Sequence, residues 1–376
     1  MRRLRSITVA SLVATSLALL SAVPAQAFIL PPLFFKFAAS KTLENPGIIL
    51  IDPTTNQTIF SVGPDVERAP ASVLKLFSMT TVLNTLSPDL TFKTSISATN
   101  APDTFVLTGT GDPWLTESLF EANKYHRAFL PYLINKVLAL HPGLRQITLV
   151  YNDMYALDLH ALQRYFSGRL TIHTLKATTT ADLTDNISSI KSPTLAEIIK
   201  FTLLYSDNVL ADRLARTAAH AMGLATDSAG IQAAFDKTLA DLGVSSTGLK
   251  VQDGNGLSHK TRVSVRQITD LLLAIKSNPK FKVILDGLPT SGETGTLKDR
   301  FINDAPTAVG LVHAKTGWIN TTVSLAGFVT VGSDQYVFAV VANHIHNLES
   351  ARQAARVTID QMLGTIAKPL TYPILT

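Results

Sequence analysis

Strand-forming sequence lies at both ends of this chain, with mostly helical sequence between. Near the amino end, residues 47–62 read as a hairpin. Ile48, Ile49, Leu50 and Ile51 form one arm, residues 52–56 the turn, and Thr58, Ile59, Phe60, Ser61 and Val62 the other arm. Near the carboxyl end three strand-like runs come in succession, at 310–316, 323–331 and 336–343, before a helical tail at 348–363. Apolar spacing predicts helices over 195–204, 209–219, 231–242 and 265–275. This order implies one mixed α+β domain whose sheet joins the two ends of the sequence. Residues 90–187 differ in texture. Short strand-like runs at 104–107 and 146–151, a turn at 108–113 and a helix near 130–140 read as an inserted small domain.

Composition sets the address and removes several function classes. Arg2, Arg3 and Arg5, an apolar run to Val23, and Ala25, Gln26 and Ala27 as a small-residue cleavage site read as a secretory signal peptide over 1–27. The rival is an uncleaved membrane anchor, and the small-x-small ending favours cleavage before Phe28, leaving no membrane span. The whole chain carries 33 basic and 28 acidic side chains. Those three arginines account for most of the excess, so nothing argues for a nucleic-acid partner. Cysteine is absent, which excludes disulfides, thiol nucleophiles and cysteine-ligated zinc. At 376 residues and 46% hydrophobic content, stability can come from core size.

Three short segments carry chemistry. Ser72 and Lys75 follow Pro70 at the start of an apolar helix marked by Val73, Leu74, Phe77, Val82, Leu83 and Leu86. Residues three apart share a helix face, so hydroxyl and amine can meet. A serine needs a base to become a nucleophile, and a neutral amine can serve. Ser188 with Lys191 and Ser277 with Lys280 have the same spacing, but neither pair opens an apolar helix. The second segment is Ser206, Asp207 and Asn208, in a break between helices, where a hydroxyl and an amide two apart can bond both Lys75 and a substrate amide. In isolation it would read as a helix cap. The third is Lys315, Thr316 and Gly317, placed at the end of an apolar strand. It offers a fixed charge, a hydroxyl, and a glycine that lets a peptide approach closely.

Ordered Ser-x-x-Lys, Ser-x-Asn and Lys-Thr-Gly segments are the trio of class A β-lactamases and penicillin-binding proteins. Over roughly residues 45–365 the chain resembles the low-molecular-mass penicillin-binding proteins of the D-Ala-D-Ala carboxypeptidase/endopeptidase family, serine peptidase family S13. Segments at 109–113, 253–258 and 288–301 extend the resemblance beyond what β-lactamases share. It implies a β-lactamase/transpeptidase-like fold, with 28–89 and 188–376 as the catalytic domain. It also implies an exported enzyme of the periplasm or cell wall that cleaves peptidoglycan stem peptides without a cofactor and is acylated by β-lactams. By resemblance, Ser72 is the nucleophile, Lys75 its base, Ser206 a proton relay and Asn208 a substrate-amide ligand. Lys315 keeps Lys75 neutral by like-charge repulsion. Thr316 contacts the substrate carboxylate, and the N–H groups of Ser72 and Trp318 form the oxyanion hole.

Two departures stand out. Relatives often carry Ser or Thr where this chain has Trp318, and losing that hydroxyl implies weaker selectivity for a terminal carboxylate and relatively more cleavage of internal cross-links. A second insertion of larger members is missing. Asp153 lies in a segment, residues 151–155, that resembles one approaching the cleft, where its carboxylate would read a basic stem-peptide side chain. No Gly-x-Ser-x-Gly elbow, His-Glu-x-x-His or phosphate-binding glycine loop occurs. The rival readings are a β-lactamase and a non-hydrolytic wall-binding or β-lactam-sensing protein.

Overall fold

The structure, a computed structural model, describes residues 29–178 and 185–370. The expected signal peptide lies outside the described residues. A short helix, α1 (Pro32–Ala38), leads into β1 (Asn45–Asp52) and β2 (Gln57–Val62), the expected hairpin. Its turn is tied by Asp52, whose carboxylate accepts from the Thr54 N–H at 2.8 Å. A 3-10 turn over Ala71–Leu74 then runs into α2 (Lys75–Thr85).

Next, where an insertion was expected, come β3 (Thr91–Ala98), β4 (Thr104–Thr108), β5 (Leu115–Thr116), α3 (Leu119–Tyr125), β6 (Ala128–Phe129), α4 (Pro131–Leu140), β7 (Gln146–Asn152), α5 (Ala156–Phe166), β8 (Thr171–Lys176) and β9 (Asn186–Thr194). A helical layer follows, α6 (Leu195–Tyr205), α7 (Asn208–Ala221), α8 (Ser228–Asp241), α9 (Val265–Lys276) and α10 (Lys282–Asp286). Then come β10 (Val312–Ile319), β11 (Thr322–Val331), β12 (Asp334–Asn343) and α11 (Glu349–Gly364).

The main sheet has the order β10-β11-β12-β1-β2 and is antiparallel throughout. The ends of the sequence meet in it: Asn45 stands opposite Asn343, and Ile48 opposite Val340. Both faces are buried, which explains the nearly unbroken apolar run of β12. Val337, Ala339 and Val341 pack with α2 and α9, while Phe338, Val340 and Ala342 pack with α1 and α11. Burying both faces of the sheet stabilises it by about 2 kcal/mol for each large apolar side chain.

A second, mixed sheet has the order β8-β7-β4-β3-β9. Residue 187, the expected end of the insertion, falls inside β9, which continues to Thr194 opposite Thr91. Helix α5 was not anticipated. Its buried Leu159, Leu162 and Phe166 have helical spacing, but the polar residues among them obscure it. This second sheet shares its core with the helical layer, since Ile96, Leu107 and Leu149 belong to one cluster with Ile199 and Leu214. A buried ion pair, Arg213 on α7 with Asp158 on α5, ties the two together, and the same guanidinium lies 4.3 Å from the Tyr155 ring centre.

Candidate active site

Ser72 sits in the 3-10 turn, one residue after Ala71, whose φ of +50° is unfavourable for a residue with a Cβ. The surroundings hold that conformation in place. The Asn343 side chain accepts from the Ala69 N–H at 2.8 Å and donates to the Ala69 carbonyl at 3.0 Å, pairing with the chain as a strand would. The Ser324 hydroxyl donates to the Pro70 carbonyl at 2.7 Å. The sheet therefore positions the turn that carries Ser72.

Lys75 opens α2 and is fully buried. Its Nζ lies 2.7 Å from Ser72 Oγ, 2.8 Å from Asn208 Oδ1 and 2.9 Å from the Asn255 carbonyl. As an ammonium it has three protons for three acceptors. As a neutral amine it donates to Asn208 and Asn255 and turns its lone pair to the Ser72 hydroxyl. Burial favours the neutral form, pulling the Lys75 pKa down to about 7 against the opposing pull of Asp207 and Asp253.

The break between α6 and α7 serves two purposes. Asp207 is the cap, its carboxylate accepting from the Leu210 N–H at 2.9 Å. Ser206, at φ +58°, ends α6 and faces the cleft together with Asn208. The expected bond from Ser206 to Lys75 is not formed, and Asn208 takes that position. The 253–258 segment, which had no assigned role in the sequence, supplies the third contact. Asp253 accepts from the N–H groups of Gly256 and Ser258, both at 2.8 Å, and so fixes the Asn255 carbonyl toward Lys75. Gly256 is required there. At φ +81°, a Cβ would stand 2.0 Å from the Ala71 carbonyl oxygen.

Lys315, Thr316 and Gly317 lie in the middle of β10, not at a strand end. Lys315 is fully buried and donates to the Thr316 carbonyl at 2.9 Å. Burial first, and repulsion from Lys75 second, push its pKa well below the usual lysine range. Desolvation is the leading cause for both lysines, and like charge works in the same direction between them. Gly317 lets β10 press against the Ser72 turn, because a Cβ would meet Ser324 Oγ at 2.1 Å and the Pro70 carbonyl at 2.8 Å. Thr316 Oγ1 shares a 2.8 Å hydrogen bond with Thr296. The Ala314 N–H points outward from the sheet to the Pro289 carbonyl, and by alternation the Trp318 N–H points to the same edge.

These groups line a cleft of about 320 Å³, bounded by Ser72, Ser206, Asn208, Thr316, Gly317 and Trp318, with Leu257, Thr296, Arg300, Val323 and Arg356 completing it. Of the last five, Leu257, Thr296 and Arg300 belong to the 253–258 and 288–301 segments, which carried the resemblance without an assigned role, and Val323 and Arg356 lie outside any motif. A larger depression of about 670 Å³ beside α8 lacks a nucleophile next to a base, its Ser228 hydroxyl being spent on the Gln252 carbonyl. Asp153 is not part of the cleft lining. It is exposed, at φ +45°, and its carbonyl accepts from the Gly111 N–H at 2.9 Å, so its place is in the loop that holds the 109–113 turn. Among the described residues no cluster of metal-ligating side chains gathers.

A family model described as the D-Ala-D-Ala carboxypeptidase 3 (S13) family matches residues 38–147 and 149–366. Carboxypeptidase DacB of Mycolicibacterium smegmatis is 31% identical over 185 residues, which is 48% of this chain and 39% of that protein. The matched stretch is thus about two fifths of that relative's length. Penicillin-binding protein 4 from Haemophilus influenzae superposes with a TM-score of 0.71 at 17% identity, covering 88% of this chain and 98% of the other. A penicillin G-acylated predatory endopeptidase from Bdellovibrio bacteriovorus superposes with a TM-score of 0.60 at 15% identity, covering 87% and 94%. The fold is that of these proteins.

Proposed function

Because the chain belongs to the D-Ala-D-Ala carboxypeptidase 3 (S13) family, we propose that it is a serine D,D-carboxypeptidase and endopeptidase acting on peptidoglycan stem peptides. One observation carries this reading: Lys75 Nζ stands 2.7 Å from Ser72 Oγ with its other two contacts filled. Ser72 Oγ attacks the carbonyl between two D-alanines as neutral Lys75 takes its proton. The oxyanion that forms is met by the N–H groups of Ser72 and Trp318. The proton taken up by Lys75 then passes to the leaving amine through Ser206, whose hydroxyl faces the cleft and hands on its own proton as it receives that one. That amine departs as D-alanine or as the cross-linked strand, and the bond left behind is an ester on Ser72. Asn208 holds Lys75 through its oxygen and keeps its amide nitrogen for the substrate's carbonyl. Lys315 and Thr316 attract the substrate's carboxylate, and water releases the acyl group.

β-Lactams, which mimic the D-Ala-D-Ala amide, would acylate the same serine. The basic start and apolar run of the sequence support export to the compartment that holds the wall. The test is mass spectrometry of the intact protein incubated with a penicillin, and separately with a D-Ala-D-Ala stem peptide. A long-lived adduct on Ser72 with D-alanine released is the expected result, with both lost in Ser72→Ala. Fast drug hydrolysis without peptide cleavage would instead mark a β-lactamase. A stable adduct without peptide turnover would mark a sensor, and neither adduct nor cleavage would refute an enzyme.

A further inference from the structure

Three arginines gather at the end of the cleft where β10 meets α11, and they differ in what they touch. Arg300 is buried and paired with Asp360 through two nitrogens. Arg352 donates to the Asn320 carbonyl at 2.8 Å, Asn347 Oδ1 at 2.9 Å and Glu349 at 2.9 Å. Arg356 lines the cleft and has none of this. Among the described residues it makes no ion pair and no hydrogen bond, and its Nε is buried without an acceptor. Its one contact of note is with the face of Trp318, whose ring centre lies 5.9 Å from its Cζ. The same ring lies 5.3 Å from the Arg352 guanidinium carbon.

An arginine stays charged in a protein, so a partly buried guanidinium without hydrogen-bond acceptors carries a desolvation cost that more distant charges offset only in part. Burial and the neighbouring Arg300 pull the Arg356 pKa down, against the opposing pull of Asp360, Glu349 and Asp304, none of which bonds to it. An anionic group entering the cleft would remove that cost. The guanidinium fork matches a carboxylate in shape and charge.

We propose that Arg356, steadied against Trp318, joins Thr316 across the cleft in binding the terminal carboxylate of the substrate. This rests on the D,D-peptidase reading above, in which the D-alanine expelled as Ser72 is acylated ends in a carboxylate. It reverses what the sequence implied of Trp318. The indole replaces a small hydroxyl side chain, and in exchange it supports a full positive charge facing the same cleft. Selectivity for a free carboxyl end is then retained through helix α11.

The test compares two peptides with the wild-type protein and with Arg356→Met and Arg356→Lys. One peptide ends in D-Ala-D-Ala with a free carboxylate, and the other ends in the D-alanine amide. The wild type is expected to prefer the free acid in kcat/KM. Arg356→Met is expected to lose about 10- to 100-fold of that preference, the range for a charge-assisted hydrogen bond. Arg356→Lys is expected to keep part of it, and the loss should appear mainly in KM. A preference that is the same in wild type and Arg356→Met would overturn the proposal. So would an equal fall on both peptides, which would mark a purely structural role. A wild-type protein that cleaves neither peptide would instead overturn the D,D-peptidase reading, and this proposal with it.

Discussion

Acylation of Ser72 should be controlled by the protonation of Lys75, and the structure gives the direction and size of the effect. The amine must be neutral to accept the Ser72 proton, and burial brings its pKa to about 7. The neutral fraction is then about one tenth at pH 6 and about nine tenths at pH 8, so acylation should rise about tenfold between them and level off above. An ordinary lysine near pKa 10.5 would be neutral in only about one molecule in 3,000 at pH 7 and would show no plateau in this range. The assay is the second-order rate of labelling by a fluorescent penicillin from pH 5.5 to 8.5, with drug hydrolysis measured separately. Asp207→Asn sharpens the test. It removes a carboxylate that raises the Lys75 pKa while keeping a side chain able to cap α7, so the midpoint should move to lower pH. Linkage gives a second readout. Between about 7 and 10.5 the unfolded chain holds the proton that the fold has lost, so stability should rise with pH across that window. A flat labelling profile, or one still climbing steeply at pH 8.5, would refute the assignment of Lys75 as a desolvated base.

Two further predictions concern the frame around the site. Gly317→Ala places a methyl 2.1 Å from Ser324 Oγ and 2.8 Å from the Pro70 carbonyl, so it should cost about 1–3 kcal/mol in thermal unfolding and slow penicillin labelling. Adding Ser324→Ala should recover only part, since the Pro70 contact remains, and unchanged labelling in Gly317→Ala would deny that β10 presses on the Ser72 turn. Asp112 is buried, with one carboxylate oxygen unpartnered, and burial raises its pKa to about 6. Its folded form therefore holds a proton that the unfolded chain has released, so stability falls as pH rises through that value, by about 3 kcal/mol in all. Asp112→Asn should accordingly melt higher than wild type at pH 7.5, with the advantage shrinking as pH falls toward 4. An advantage independent of pH would contradict the assignment.

The chemistry was legible because each motif is a short stretch with its own local context. Pro70 and the apolar spacing after it marked the Ser72 helix start, and the break at Asp207 is a cap whatever else surrounds it. What escaped depends on partners far away in sequence. Lys315 looked like a strand end because the hydroxyl, glycine and indole that follow it are not typical of a buried strand. Those residues continue β10 because Gly317 faces Ser324 and the Ser72 turn. That Asn208 and not Ser206 bonds Lys75 has a similar cause: the left-handed turn at Ser206 and the fixed Asn255 carbonyl decide which group reaches the amine. Asp153 resembled a substrate ligand by its neighbours in sequence, but its backbone is used to hold Gly111. No local pattern distinguishes Arg356 from Arg352, since only their surroundings in the fold leave one of them unpaired.

The pairing of β1 with β12 has a consequence for how the molecule comes into being. Asn45 leaves the ribosome long before Asn343, yet each stands opposite the other in the finished sheet. Until then β1 is an apolar strand without a neighbour on that side, and closing so long a loop makes folding slow. The 3-10 turn bearing Ser72 is in the same position, because Ser324 and Asn343 are what hold it. A nascent or prematurely terminated chain therefore has the nucleophile but no formed site around it. The site forms only with the last strands, so a chain that ends before β12 should show no penicillin labelling of Ser72.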